Sequence, residues 1–222
     1  MWIAELWRYP VKSMAGERLE VAEVREDGIA GDRVVHVASA EGRVLTARTR
    51  HRLLGHAAVL GADGEPRVDG RPWTDAGVAR DVEAAGGGGA RLVRFDGEER
   101  FDVLPLLVAT DGAIEALGED GRRLRPNLVI GGVEGLAERG WEGGILRVGE
   151  VVIGVHSLRQ RCIMTTFHPD TLAQDTGVLR RINREFGGRV ALNCFVIEGG
   201  TVRVGDPVEL IPGDDHNYTE SA

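Results

Sequence analysis

Short runs of alternating apolar residues, separated by Gly, Asp and Pro, dominate this chain and constrain its fold more than any other feature. A repeat of two residues is typical of strands, whose side chains point to opposite faces of a sheet. Turn-forming residues at frequent intervals keep such strands short. The predicted strands cover residues 2–7, 19–24, 33–38, 56–60, 91–95, 127–130, 151–155, 190–197 and 207–211. The pattern favours a mainly β fold rich in barrel-like sheets, a β-rich α+β protein.

Helical patterns are few. Residues 110–118 (TDGAIEALG) offer a Thr cap and a Gly stop, and residues 176–186 form an amphipathic stretch before Gly187 and Gly188. A short helix is predicted near 49–54. We therefore expect only short helices beside the sheets.

Two similar segments predict β-hairpins. LRVGEVVIGV at 146–155 and VRVGDPVELI at 202–211 each place Gly and an acid between two strand-like runs. We expect them to build neighbouring hairpins of one barrel.

The chain divides most naturally in its middle. The glycine run at 84–90 is predicted to be a flexible surface loop, and the polar stretch DGEER follows at 96–100. We place an N-terminal domain at 1–95, a C-terminal domain at 96–212 and a polar acidic tail at 213–222.

Charge and composition exclude several classes of protein. The net charge is −8 over 222 residues, which argues against nucleic acid as a partner. The sequence has neither an apolar run of membrane-spanning length nor a visible signal peptide, so we expect a cytoplasmic protein without a membrane partner. Two lone cysteines are consistent with a reducing compartment.

One cysteine has chemically unusual neighbours. Cys162 lies in RQRCIMTTFHPDT, with two arginines before it and two threonines after it. Nearby cations favour the thiolate, which is the form that attacks electrophiles and binds metals. Cys194 instead alternates in phase with apolar strand residues and is predicted to be a core thiol.

Three further stretches could carry chemistry or could be ordinary turns. LWRYPVKS at 6–13 presents Lys12, the only lysine in the chain. GIAGDRVVHV at 28–37 leads Arg33 into a strand, and RPNLVIGG at 125–132 places Arg125 and Asn127 around a proline. Guanidinium and amide groups suit an anion or a heterocycle edge. A solvated lysine, a plain hairpin and an Asx turn are the structural alternatives.

Other uses of Cys162 are less well supported. His156 and His168 flank it, but zinc sites with this few cysteines have other spacings. A Cys-His hydrolase could use either histidine as its base, yet no motif for an oxyanion hole accompanies them.

Together these stretches resemble one family over nearly the whole chain. LWRYPVKS and GIAGDRVVHV are similar to the N-terminal β-barrel domain found in MOSC proteins. RPNLVIGG, WEGGILRVG, RCIMTTFHPDT and VRVGDPVEL are similar to the MOSC domain, which is named after the C-terminal domain of molybdenum cofactor sulfurases. The resemblance implies a MOSC-type barrel in residues 96–212 and a smaller β-barrel-like domain in residues 1–95.

The resemblance also implies a molybdenum pyranopterin cofactor between the two halves. Cys162 would be its protein metal ligand, and a soft thiolate suits a metal already held by sulfur. The resemblance assigns cofactor contacts to Lys12, Arg33, Arg125, Asn127 and Arg161. It also makes Asp102 a candidate proton relay near the metal.

The chain departs from the family pattern at three positions. Members that reduce amidoximes have Thr and Ser after the acid, where this chain has Val103 and Leu104. Two side-chain hydrogen bonds to the pterin would be missing. Gln160 replaces a Ser before the Arg-Cys pair.

Three functional hypotheses follow from the resemblance. The first is a molybdenum oxidoreductase that reduces small N-hydroxylated or N-oxygenated compounds, with electrons from a separate ferredoxin or a cytochrome b5-like protein and its reductase. The second is a sulfur carrier or cofactor-handling module with a persulfide on Cys162. The third is a barrel that has lost the cofactor, because Val103 and Leu104 weaken the pocket.

Overall fold

The computed structural model describes residues 1–95 and 100–213. Seventeen strands and three α-helices are found in these residues. In chain order they are β1 (Trp2–Arg8), β2 (Glu17–Leu19), β3 (Val21–Arg25), β4 (Gly28–Ile29), β5 (Val35–Ala38), β6 (Val44–Leu45), β7 (Ala58–Leu60), β8 (Pro66–Val68), β9 (Arg71–Pro72), α1 (Ala76–Gly86), β10 (Arg91–Arg94), β11 (Leu106–Thr110), α2 (Asp111–Leu117), β12 (Leu128–Gly131), β13 (Ile145–Val148), β14 (Val151–Gln160), α3 (Thr176–Phe186), β15 (Arg189–Glu198), β16 (Gly200–Arg203) and β17 (Glu209–Ile211). Four 3-10 helices cover His51–Gly55, Gly121–Leu124, Ala137–Gly140 and Ile163–Thr166. The predicted class, mainly β with a few short helices, is confirmed.

An eight-stranded sheet forms the centre of the molecule, in the order β17-β13-β14-β15-β11-β12-β1-β2. Its neighbouring strands are antiparallel except β11 and β12, which are parallel. A parallel pair needs a crossover connection, and α2 lies in the segment that joins these two strands. The longest strands, β14 and β15, pair with each other and cross the sheet centre.

The N-terminal strand belongs to this central sheet. β1 pairs with β12 on one side and β2 on the other, and β3 pairs with β16 in a separate three-stranded sheet. Strand pairing thus joins residues from both sides of the domain boundary predicted at 95/96. The predicted boundary borders on residues 96–99, and most of the predicted acidic tail falls in residues 214–222. Both ranges lie outside the described residues.

Three apolar cores hold the sheets together. The largest packs the central sheet against β3 and β16 around Ile3, Leu6 and Ile153, all fully buried. A second core lies under β5, β7, β8 and α1 and includes Val37, Leu53 and Val82. The third packs α2 and α3 onto the central sheet.

Two predicted helices form as their caps indicate. The Thr110 side chain accepts a hydrogen bond from Ala113 N at the start of α2, and α2 ends at Gly118 in the left-handed conformation. Residues 176–186 form α3, which ends at Gly187. The short helix predicted near 49–54 is a 3-10 helix at His51–Gly55.

The prediction for residues 84–90 is wrong in part. Helix α1 extends to Gly86, so the loop begins only at Gly87. The signal for α1 is the cap at Asp75, whose carboxylate accepts from Gly77 N and Val78 N. The neighbouring glycine run makes this helix hard to predict from the sequence, because glycine is a poor helix former. Strand β11, which leads into α2, is a second element that the sequence patterns do not predict.

Only one of the two predicted hairpins forms. Residues 146–155 contribute to the β13–β14 hairpin. Residues 202–211 are instead shared between two sheets, because β16 pairs with β3 while β17 pairs with β13. Pro207 lies between them and has no N–H for continued strand pairing. Its backbone forms an isolated bridge with Trp2.

Within the residues that the structure describes, no helix combines the length and the apolar character needed to cross a membrane.

Candidate functional site

A cleft of about 780 Å³, partly open to solvent, lies where the N-terminal and C-terminal halves meet. The structure brings together here all seven residues singled out in the sequence. They are Lys12, Arg33, Asp102, Arg125, Asn127, Arg161 and Cys162. Their roles remain predictions, but their proximity is a property of the fold.

Cys162 is held at the start of a 3-10 helix. Its backbone is extended, and its carbonyl oxygen accepts bonds from Thr165 N at 3.1 Å and Thr165 Oγ1 at 2.9 Å. Thr166 Oγ1 donates to Ile163 O at 2.7 Å. The two threonines are buried. They therefore fix the turn, and the half-buried Cys162 is left at the cleft.

Residues 9–13 and 33–35 run side by side and place two cations in the cleft. Arg33 N donates to Tyr9 O at 2.7 Å, and Lys12 N donates to Val35 O at 2.8 Å. Arg33 and Ser13 have positive φ values of 51° and 73°. Left-handed backbone is strained for non-glycine residues and is often found at functional sites.

Asp102 is the centre of an ion cluster. Its carboxylate lies 3.1 Å from Lys12 Nζ, 2.5 Å from Arg48 Nη2 and 3.2 Å from Arg159 Nη2. Burial opposes ionisation, but the surrounding charges of Lys12, Arg48 and Arg159 outweigh it and lower the pKa of Asp102 below its ordinary value. With these contacts Asp102 is an anion at neutral pH.

Arg125 and Arg33 both lie over the Tyr9 ring. The guanidinium carbon is 4.3 Å from the ring centroid for Arg125 and 5.0 Å for Arg33. Burial lowers the pKa of Arg125 to about 10 and raises that of Tyr9 to about 12. Arg125 therefore stays charged at neutral pH. Its φ of 56° ends the 3-10 helix Gly121–Leu124.

Arg161 is a half-buried cation with spare hydrogen-bonding capacity. Its Nη2 donates to Leu124 O at 2.7 Å, while its buried Nε has no hydrogen-bond partner among the described residues. Burial, with the nearby charge of Arg159, lowers the pKa of Arg161 to about 10. A charged, underpartnered guanidinium at the cleft is suited to an anionic ligand.

Asn127 has a structural task as well as a place in the cleft. Its Oδ1 accepts from Leu107 N at 3.1 Å, and its Nδ2 donates to Trp7 O at 3.3 Å. The amide thus ties β1 and β11 to the start of β12. Its Oδ1 also receives a longer bond, 3.4 Å, from Arg33 Nη1.

Sequence reasoning misses Arg48 and Arg123 of the cleft lining and names Arg159 only as a cation beside Cys162. Arg159 is visible as a neighbour of Cys162 in RQRC but has no motif of its own. Arg48 lies in TARTR, far from every motif, and nothing in the sequence marks it. Asp102 and the Cys162 sulfur raise the pKa of Arg48 although burial opposes its charge. Only the fold shows that Arg48 belongs to the site.

The geometry does not support a zinc site or a Cys-His hydrolase at Cys162. Neither His156 nor His168 lines the cleft. His156 Nδ1 contacts Ser157 Oγ at 2.9 Å, and His168 Nδ1 accepts from Asp170 N at 3.2 Å. The described residues contain no group of three or more His, Cys, Asp or Glu side chains placed to hold a metal. Cys194 is fully buried, as predicted, and burial raises its pKa.

The charges that line the cleft suit an anionic ligand. Asp102 is the only acidic residue among the described residues that line it. The basic residues of the lining are Lys12, Arg33, Arg48, Arg123, Arg125, Arg159 and Arg161. A thiol and an unpartnered buried Nε face this positive environment.

Comparison with known proteins gives relatives along most of the chain. The chain is 26% identical to mitochondrial amidoxime-reducing component 1 of Homo sapiens, over 94% of this chain and 82% of that protein. It is 24% identical to mitochondrial amidoxime reducing component 2 of Macaca fascicularis, over 76% of this chain and 67% of the relative. The crystal structure of the YUAD protein from Bacillus subtilis has a similar fold, with a TM-score of 0.52 and 14% identity over 96% of this chain and 99% of that one.

Two family profiles match in the order that the motifs indicate. The MOSC N-terminal beta barrel domain matches residues 1–69, and the MOSC domain matches residues 111–209. The two profiles include lining residues from both halves of the chain, whereas the lining residues within 101–107 fall between them. The chain therefore belongs to the MOSC proteins, with a MOSC N-terminal β-barrel domain followed by a MOSC domain.

Proposed function

We propose that this chain binds a molybdenum pyranopterin cofactor in the cleft and reduces N-hydroxylated or related N-oxygenated compounds. The observation that supports it is the convergence of Cys162 with cations from both halves of the chain. Lys12 and Arg33 come from one side, Arg125 and Arg161 from the other. The relatives named as amidoxime-reducing components support the choice of reaction.

Each residue of the cleft has a physical task in this proposal. Cys162 supplies the thiolate ligand, and its fixed 3-10 turn holds the sulfur in place. Arg125 and Arg33, stacked on Tyr9, present guanidinium donors to the anionic groups of the cofactor. Arg161 offers its free Nε–H, and Lys12 adds a compact charge.

The reaction consumes two electrons and two protons and releases the hydroxyl oxygen of the substrate as water. When bound, the cofactor supplies the two-electron redox chemistry that removes this oxygen. Asp102 is the candidate to pass on protons, because its carboxylate lies in the cleft beside the proposed metal ligand, Cys162. The electrons come from a separate protein, a ferredoxin or a cytochrome b5-like protein with its reductase.

Metal analysis tests the proposal. The protein purified from a host that makes molybdopterin should contain molybdenum in a ratio near one, and Cys162→Ala should lose most of it. Cys194→Ala is the matched control, because it removes the buried core thiol and should retain the metal. Molybdenum that is equal in Cys162→Ala and wild type would contradict the ligand assignment.

A sulfur-carrier role is the second candidate, and the half-exposed position of Cys162 favours it. Arg48 and Arg159 each lie close enough to the Cys162 sulfur to interact with it electrostatically, so they would also stabilise a persulfide anion. Incubation with a cysteine desulfurase and cysteine should then add one sulfur atom to Cys162 by mass spectrometry. A molybdenum-free protein that gains this adduct would favour the carrier over the reductase.

A further inference from the structure

Arg48 and Arg159 line the cleft but are not among the cofactor contacts proposed above. Arg48 follows β6 in the N-terminal half, and Arg159 lies near the end of β14. Both line the cleft, and the Cys162 sulfur contributes to the electrostatics of both. They therefore lie beside the reacting centre rather than at a distant part of the surface.

The two arginines bind the same oxygen atom of Asp102. Arg48 Nη2 and Arg159 Nη2 contact the same carboxylate oxygen, Asp102 Oδ2, at 2.5 Å and 3.2 Å. Arg159 is also held by Asn193 Oδ1 at 3.4 Å, and Asn193 is itself anchored to Ser157 Oγ at 3.1 Å. The Arg159 side chain is mostly buried, whereas that of Arg48 is 40% exposed. Arg159 is thus the donor that is held in place, and Arg48 is the donor that is more exposed to solvent.

The local charges do not cancel. Three cations, Lys12, Arg48 and Arg159, surround the single carboxylate of Asp102. A guanidinium group has five N–H donors and binds carboxylates in a forked geometry. Each arginine therefore keeps donors for a second carboxylate after its contact with Asp102.

The wall beside this pair is apolar. Val103, Leu104 and Met164 line the same cleft, and Val103 is 53% exposed. A hydrocarbon or aromatic skeleton can lie against these side chains while a charged group reaches the arginines. The residues that weaken the family's pterin contacts thus provide a surface for a substrate.

We propose that Arg48 and Arg159 form a subsite for a carboxylate of the substrate, so that the chain prefers N-hydroxylated compounds that carry a carboxylate on an apolar skeleton. This inference rests on the proposed function for the reaction itself. Arg48 and Arg159 are specificity-determining residues here, because they bind the non-reacting end of the substrate.

Binding of benzoate and of benzamide, its neutral isostere, tests the subsite. Isothermal titration is performed on the protein with its cofactor and on cofactor-free protein. Wild type should bind benzoate roughly tenfold more tightly than benzamide, as expected for a charge-assisted contact. The ratio should fall to about one, by the same principle, in Arg48→Gln/Arg159→Gln. Arg43→Gln, at an exposed arginine that does not line the cleft, is the matched control and should keep the preference.

Three outcomes would overturn the inference: equal binding of the two probes by wild type, a preference that survives the double substitution, and a preference seen only without cofactor. The last would mean that the two arginines hold the cofactor. A second readout is the ratio of kcat/KM for carboxylated and neutral benzamidoxime, which should fall about tenfold in the double variant. If wild type contains no molybdenum and reduces neither substrate, the proposed function fails, whereas the binding preference is judged separately on benzoate.

Discussion

At the scale of single residues, the cleft shows how neighbours decide the state of a charged group. Asp102 is partly buried, which alone would favour the neutral acid, yet three cations keep it ionised. Arg125 and Arg161 are half-buried cations whose pKa values fall only to about 10, so both stay charged. The site is therefore positive at neutral pH before any ligand binds.

Replacement of Asp102 by Asn should destabilise the protein in a way that depends on pH. The folded-state pKa of Asp102 is lowered, so its contribution to stability is fully present above its unfolded pKa of about 3.9 and is lost as the pH falls through the folded value. Wild type should exceed Asp102→Asn in free energy of unfolding at pH 7, and the difference should shrink below about pH 4. Urea unfolding at pH 7 and at pH 3 measures it. A difference that is the same at both values would show that Asp102 has no stabilising ion pairs.

At the scale of elements, caps and turns explain the helices better than propensity does. The sequence shows the Thr110 cap of α2 and the glycine that ends α3, and both helices form where expected. It also contains the Asp75 cap of α1, but the following glycines mask the apolar positions Val78 and Val82. Packing of these two valines into the second core supplies what local propensity lacks.

Removal of the α1 cap should therefore cost stability without harming the cleft. Asp75→Ala leaves Gly77 N and Val78 N without their acceptor and should lower the free energy of unfolding by about 1 kcal/mol. Glu41→Ala, at an exposed acid with no helix to cap, is the control and should change it by less than about 0.5 kcal/mol. Thermal and urea unfolding measure both variants. Equal stability of Asp75→Ala and wild type would contradict the role of the cap.

At the scale of the whole molecule, sheets combine strands from both sides of the domain boundary predicted at 95/96. β1 lies between β12 and β2, so the central sheet needs strands from both halves. Leu6 is fully buried in the largest core, together with Leu128 and Leu106 from the C-terminal half. We expect the described parts of the chain to unfold as one cooperative unit.

The variant Leu6→Ala tests whether the described parts of the chain unfold cooperatively. The cavity left in the core should cost about 2–5 kcal/mol, and every probe should report the same lower midpoint. Circular dichroism follows the sheets, while fluorescence follows the four tryptophans, which include Trp73 beside the second core and Trp141 in the first. Val59→Ala, at a partly exposed strand residue, is the control with a small expected effect. Two separate transitions would show that the halves fold independently.

Sequence reasoning predicts the β-rich class and assembles the residues of the cleft through their motifs. It does not find Arg48, because no local pattern reports that residues 48, 102 and 159 meet. It predicts a hairpin at 202–211, because Gly and Asp there resemble a turn. Pairing with β3 and β13 determines the structure of that segment instead. Such long-range partners cannot be recognised from a short stretch of sequence.

The position of β1 between β12 and β2 also bears on the order of events during synthesis. Its neighbour β12 is translated more than 100 residues later, so β1 cannot find its place until the ribosome has made most of the chain. The walls of the cleft likewise include Lys12 and Asn193. A ligand that needs both walls can enter only after translation of the barrel is nearly finished, which makes its loading a late step of maturation.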